Sequence, residues 1–505
     1  MRPIFSRAPV LAVLALLALP AAALAQDEAT LGQTTNNLDT TWVMVAAILV
    51  MFMQAGFAFL EIGFSRAKNA GAGVAKILTN FSIAGIAYWA VGFALAFGGA
   101  GAIAGTEGVF LNVSMDPARA GAKIPLLEGG GINPAALLFF QFVFCAVSLA
   151  IVWGTTLERI KFSAYIIYAI VFAAVIYPVL SHWIFAGGFL QSGFLGLPGM
   201  QDFAGSTVVH LIGATGALAA LILLGPRRGK YGPDGKPRAL PGHSMPLVGL
   251  GVLILWLGWF GFNPGSTLGA ADGRFAEVAL VTNLAAAAGV IGAAITIYIL
   301  GKTIDIGMVG NGAIAGLVGI TAPSGYVEFW AAPIIGLVAG VIVVVGVLAI
   351  YKKLDDPVGA LSAHGLAGVW GTVATGLFAS PRLAELNGVG EAGLFYTGSF
   401  AQLGAQALGV VVAFLVVFSV SFAVFYLIKK TIGLRVTAEQ EDAGLDIVEH
   451  GMYGYPEQFI PLPEMGAASS GPLARPSLGA GSPATAATAA TAATSTTSRT
   501  GEVTA

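Results

Sequence analysis

Charge is what this sequence has least of. Only 10% of its 505 residues are Asp, Glu, Lys or Arg, against ~25% in an ordinary soluble domain. The net charge of -2 leaves no basic excess for holding phosphates, which argues against a nucleic-acid partner. Cysteine is nearly absent too. The single Cys145 lies in an apolar run, so neither a disulfide framework nor a cysteine-built metal site can form. No metal or other cofactor is expected. Against these absences stand 56% hydrophobic residues and 69 glycines. Glycine at that density suits helices packed backbone to backbone in lipid. The composition describes an all-α polytopic membrane protein rather than an enzyme.

The amino terminus reads separately from the rest. Arg2 and Arg7 precede an apolar stretch from Val10 to Leu19, then Pro20 and small residues ending Ala23-Leu24-Ala25. A basic start, a short apolar core and an A-x-A-like site describe a secretory signal. Residues 1–25 are therefore expected to be a cleaved signal peptide. Eleven apolar runs follow, near 41–64, 77–98, 134–157, 162–181, 204–224, 246–262, 277–300, 308–322, 329–350, 358–379 and 400–428. Most have the ~20 residues that cross a bilayer as helix. The eighth, which stops before Pro323, is the weakest.

Eleven spans put the ends of the mature chain on opposite sides. Sixteen Lys and Arg then fall in alternate loops and the start of the tail, Arg66, Arg159, Arg227, Arg228 and Lys429 among them. Only four, Arg119, Lys123, Arg274 and Arg382, fall in the opposing loops. That bias places the amino end outside and the carboxyl end in the cytoplasm, as for a protein of the cell inner membrane. Residues 26–430 form the transmembrane domain. Residues 431–463 mix charges with Leu434, Val436, Leu445 and Ile447, as an ordered cytoplasmic segment would. Residues 464–505, rich in Ala, Thr and Ser, can bury no core and read as a disordered tail.

Ionisable residues inside spans are costly and mark function. His210 and His364 lie inside the fifth and tenth spans. Each follows an aspartate by eight residues, Asp202 and Asp356, and each precedes two glycines. The two spans run in opposite directions, so the pattern is the footprint of an inverted five-helix repeat around a central pore. Eight residues of helix advance ~12 Å, which brings both histidines to similar depth in a ~30 Å core. The aspartates are expected to cap their helices. Glu61, late in the first span, is expected to pair with Arg66. His182, His243 and His450 read as surface residues of loops and tail.

The run Asp202-Phe203-Ala204-Gly205-Ser206-Thr207-Val208-Val209-His210 closely resembles the signature of the ammonium transporter (Amt/Mep/Rh) family, bacterial Amt type. The likeness continues in Glu158-Arg159-Ile160-Lys161-Phe162-Ser163, Gly258-Trp259-Phe260-Gly261-Phe262-Asn263, Asp355-Asp356-Pro357 through His364-Gly365, and Gly433-Leu434-Arg435-Val436. It spans nearly the whole chain from Trp42 to about Pro456.

The resemblance implies a homotrimer of eleven-helix subunits, each with its own pore. His210 and His364 take the twin-histidine positions, and Phe144 and Phe262 the stacked phenylalanine gate. Phe140 and Ser266 match the outer vestibule where ammonium or methylammonium is recruited, with Asp202 beside it and Trp259 near the pore. The vestibule's usual tryptophan aligns with Phe185, two residues from Trp183, which could substitute. The implied function is transport of ammonium, recruited as NH4+ and passed as NH3. Low-flux ammonium sensing and Rh-type passage of neutral gas are the alternatives on the same fold. A cytoplasmic PII signal protein is the implied regulatory partner.

Two other classes fit poorly. Asn133-Pro134-Ala135 and Asn263-Pro264-Gly265 resemble the paired motif of aquaporins, but the first opens a full span and the second ends one. An ATP-driven pump is excluded because Gly225-Pro226-Arg227-Arg228-Gly229-Lys230 lacks Walker spacing.

Overall fold

The computed structural model describes residues 8–460 except Ala100 and Gly129, with side chains from Leu31 onward. The expected signal at 1–25 and tail at 464–505 lie outside the residues whose side chains are described. The chain forms two units, one ending at Tyr455 and one starting at Pro456. Of the second, the short helix Pro456–Phe459 is described.

Each apolar run carries a helix. These are α1 (Ala8–Phe64), α2 (Ala67–Phe97), α3 (Pro134–Thr156), α4 (Phe162–Phe185), α5 (Ser206–Leu224) and α6 (Met245–Gly265). They continue with α7 (Arg274–Gly301), α8 (Ile306–Thr321), α9 (Ala331–Ile350), α10 (Leu361–Leu366 running on as Ala367–Phe378) and α11 (Ala401–Thr431). Among the described residues there are no strands, only two isolated bridges. Among the described residues, nine helices are long and apolar enough to cross a membrane, α1 through its portion Leu31–Phe64. Of the other two, α8 has only 16 residues. In α10, Ser362, His364, Thr372 and Thr375 dilute the apolar content. The protein is an all-α polytopic membrane protein.

Local chemistry sets the helix starts. Asn133 Oδ1 accepts the Ala135 amide at 2.8 Å with Pro134 in the first turn of α3, and Asp305 Oδ1 accepts the Met308 amide at 2.8 Å for α8. From Phe140 to Thr156, α3 is buried without interruption, as a helix apolar all round must be at the centre of a bundle. It meets α5 closely. A Cβ on Gly213 would lie 2.5 Å from the Ser148 carbonyl, and Ser148 Oγ donates to the Val209 carbonyl at 2.7 Å. α7 and α9 approach as tightly, since a Cβ on Gly336 would run into the Ala285 carbonyl. The glycine excess is spent on such crossings.

Three expectations are corrected. Glu61 does not pair with Arg66. The chain leaves α1 after Phe64, and Arg66 Nε turns to Glu158 Oε2 at 2.6 Å. His182 is not a surface residue, because it is fully buried at the end of α4 with Nδ1 2.8 Å from the Ala96 carbonyl. Trp183 donates to the Ile103 carbonyl at 2.7 Å, which commits its indole to the neighbouring loop.

One end of the bundle is knitted by charge. Arg227 binds Asp355 through Nε and Nη2 at 2.9 Å each and reaches Glu158 at 3.3 Å. Burial pushes the Asp355 carboxyl up, but Arg227 and Arg159 outweigh it and hold it well below the usual carboxylate range. Lys230 lies 3.7 Å from Asp355 and over the Tyr351 ring. The segment after α11 folds against this end. Asp446 accepts the Gly71 and Ala72 amides at 2.9 and 2.7 Å at the start of α2, and Lys68 donates to the Glu441 and Asp442 carbonyls.

Candidate functional site

α5 and α10 begin alike. Asp202 Oδ1 accepts the Gly205 and Ser206 amides at 2.8 and 3.0 Å, and Oδ2 those of Thr207 and Val208 at 2.9 and 3.0 Å. Asp356 accepts the Gly359 and Leu361 amides at 3.0 and 2.8 Å. Each carboxylate thus satisfies the orphan donors of a helix start. A widened π-helical turn follows in both cases, Ser206–Leu211 and Leu361–Leu366. Gly205, at φ +119°, launches the first, and its carbonyl takes the His210 amide five residues on at 3.1 Å. Such turns are rare and cluster where a side chain must be re-aimed. Here each carries a histidine.

The two turns bring those histidines together. His210 Nδ1 and His364 Nδ1 lie 3.2 Å apart, with ring centroids 5.2 Å apart. One nitrogen must donate and the other accept, so a single hydrogen is shared between the rings. His210 Nε2 is buried and has no protein partner. The His210 ring stacks on Trp259 at 5.2 Å and on Phe262 at 5.5 Å. The Trp259 indole is fixed by its bond to Thr321 Oγ1 at 3.0 Å. Phe262 stacks on Phe144 at 3.9 Å and 14°, and Phe144 meets Phe140 at 4.6 Å. Vestibule, phenyl stack and imidazole pair follow one another.

The vestibule is a cavity of about 230 Å³ beside the phenyl stack, lined by Phe140, Phe144, Phe185, Asp202 and Ser266. The Ser266 hydroxyl donates to the Phe262 carbonyl at 2.9 Å, which leaves its lone pairs for an N–H donor in the cavity. Phe140 and Phe185 supply aromatic faces that attract a cation. Trp183 is not among the lining residues. Asp202 contributes negative field but few free lone pairs, because four amides occupy them. Burial pushes its carboxyl up to about 6, and the four amide bonds pull the other way.

Asp356 is not brought to this path. It borders a separate small cavity with Val347, Tyr351 and Ser362, and its part is to start α10. Three supporting residues escaped sequence reasoning: Thr321, Phe57, whose ring lies 6.3 Å from His364, and Tyr326, which lines the vestibule. A threonine in an apolar run or one more aromatic carries no signal of its own. No cluster of metal-ligating side chains occurs among the described residues.

Known proteins resemble this chain over most of its length. The profile of the Ammonium Transporter Family matches residues 41–455. Ammonium transporter Amt2 of Archaeoglobus fulgidus is 44% identical, over 83% of this chain and 88% of its own length. The ammonium transporter of Bacillus subtilis is 34% identical, over 83% and 99%. Among solved structures, a sensor Amt protein superposes with a TM-score of 0.73 at 37% identity, covering 83% of this chain and 99% of its own. Mep2 of Saccharomyces cerevisiae superposes with a TM-score of 0.72 at 26% identity, covering 85% and 94%. The chain belongs to the ammonium transporter family.

Proposed function

We propose that this protein carries ammonium across the membrane, taking NH4+ at the vestibule and passing NH3 along the histidine pair. The observation that carries this reading is the phenyl stack laid directly over a hydrogen-bonded imidazole pair. A bare cation entering such a tube forfeits its hydration and finds no compensating charge. Potassium and ammonium share that cost, but only ammonium can shed a proton and continue as a neutral molecule. The imidazole nitrogens then offer ammonia the hydrogen bonds that the phenyl walls lack. Ser266, Phe140 and Phe185 hold the cation before it deprotonates. Methylammonium would follow the same route.

The reading extends to eleven spans with α8 and α10 among them, built as an inverted repeat. It includes a cleaved signal at 1–25, supported by its basic start, apolar core and A-x-A-like site. It includes placement in the inner membrane with the amino end outside and the carboxyl end in the cytoplasm, an orientation supported by the charge bias of the loops. It also includes a homotrimer. The segment after α11, packed with the loop holding Arg227 and Arg228, offers a cytoplasmic PII protein a platform. Pull-down of PII with and without 2-oxoglutarate tests that partner, and no binding under any nucleotide condition removes it.

Uptake of labelled methylammonium by cells lacking their own ammonium transporters tests the central reading, at low substrate and mildly acidic pH. Uptake above empty-vector cells is expected. A sensing role has its own support in the 37% identity to a sensor Amt protein. Ligand binding without uptake would favour it.

A further inference from the structure

Below the histidine pair lies a second, small cavity of about 20 Å³, room for about one water, that the transport reading leaves unused. It is lined by His364, Phe57, Leu255, Asn311 and Val358, and by Glu61. Glu61 is only 1% exposed, yet its Oε2 has no hydrogen-bond partner. Its expected cation is elsewhere, because Arg66 is engaged by Glu158. Two further polar atoms close to the Glu61 end are also buried without partners, Lys76 Nζ and Trp153 Nε1, with the ammonium of Lys76 5.2 Å from the Trp153 ring. Gly154 is set between Val358 and the carboxylate, where a Cβ would lie 2.8 Å from the Val358 side chain and 3.4 Å from Glu61 Oε1. A buried carboxylate without a partner is retained only where something visits it, whether water, a proton or a cation. The titratable group across the same cavity is His364.

We infer that Glu61 is the inner proton carrier of this pore, receiving the ammonium proton through His210 and His364 and returning it to ammonia in this cavity. The inference rests on the transport reading. One N–H bond of ammonium breaks at the phenyl gate, and the proton passes to an imidazole nitrogen. The 3.2 Å contact lets the pair hand a proton from His210 to His364. Water in the cavity bridges His364 to Glu61, where an O–H bond forms. That bond breaks when ammonia arrives, an N–H bond forms, and ammonium leaves beside the regenerated carboxylate. The net event moves one ammonium and one positive charge, with nothing consumed. Asn311, whose Nδ2 donates to the Val358 carbonyl at 3.1 Å, adds a polar side chain to the same cavity.

The test separates charge from ammonia in reconstituted liposomes. Ammonium-driven current is read on solid-supported membranes, and ammonia entering without its proton is read as internal alkalinisation above that of protein-free liposomes. In wild type the proton follows, so current is large and alkalinisation stays near the protein-free level. In Glu61→Gln the proton cannot follow, so current falls at least tenfold while alkalinisation rises above wild type, because ammonia takes its proton from the lumen. Glu61→Asp keeps an acid of shorter reach and retains a current below wild type but at least three times that of Glu61→Gln. Should only the aspartate variant assemble, reduced current with raised alkalinisation supports the inference. Wild-type current in either assembled variant overturns it, and so does a fall of current with no rise in alkalinisation, the mark of a structural role. Absence of both signals in the wild-type protein would overturn the transport reading itself.

Discussion

Asp202 faces the vestibule, but its hydrogen bonds point into the start of α5, and the change Asp202→Asn separates the two roles. The carboxylate accepts four amides, two at each oxygen. An asparagine there keeps one oxygen for two of them and turns an NH2 group toward the other two, so donors face donors. Hydrogen bonds to a charged group contribute ~1.5–3 kcal/mol each, so losing two costs about 3–6 kcal/mol before the turn relaxes. Even 3 kcal/mol shifts the equilibrium of that turn about a hundredfold, at 1.4 kcal/mol per factor of ten. The turn aims His210 at His364, so its loosening breaks the 3.2 Å contact. Maximal ammonium current at pH 7.5 should fall at least tenfold, with the half-saturation concentration nearly unchanged and the thermal midpoint lowered. A raised half-saturation with wild-type maximum and midpoint would refute the reasoning and make Asp202 an attractor of cations alone.

His210→Ala and His364→Ala should each abolish ammonium flux or lose discrimination against potassium. His243→Ala, held by the Ser65 carbonyl and the Tyr455 hydroxyl, should do neither; parallel flux measurements on the three variants decide it. Phe262→Ala removes a ring stacked at 3.9 Å and should cost ~3–5 kcal/mol of stability. It should also open the vestibule to the histidines, seen as a potassium leak in proteoliposomes. Lys230 gives a pH signature. Burial lowers its pKa from 10.5 to about 8, with Asp355 opposing the shift. Between those values the unfolded chain binds more protons, so stability should rise from pH 8 to 10.5. Thermal midpoints of wild type and Lys230→Met across that range check it: the variant should lack the rise.

Helices were the most legible feature, because an apolar run in lipid has no other way to satisfy its backbone. Their construction was less so. The spacing of Asp202 from His210 and of Asp356 from His364 marks two related segments, but nothing in it announces a π-helical turn. That turn depends on one carbonyl skipping an extra residue, which neighbouring helices must stabilise. Phe144 and Phe262 had to be drawn from resemblance, since an isolated phenylalanine in a span reads as packing. Glu61 was visible as an ionisable residue in a span, yet its surroundings were not. The choice between Arg66 nearby in sequence and a cavity shared with His364 is made by where α1 ends. His182 misled for a similar reason, because the Ala96 and Gly101 carbonyls close over its two ring nitrogens.

The most direct measurement is paired flux through the wild-type protein in proteoliposomes, with ammonium and then potassium under the same gradient. A gate of stacked phenyl rings above a shared-hydrogen imidazole pair predicts ammonium flux well above protein-free liposomes and potassium flux indistinguishable from them. Potassium flux comparable to that of ammonium would contradict it.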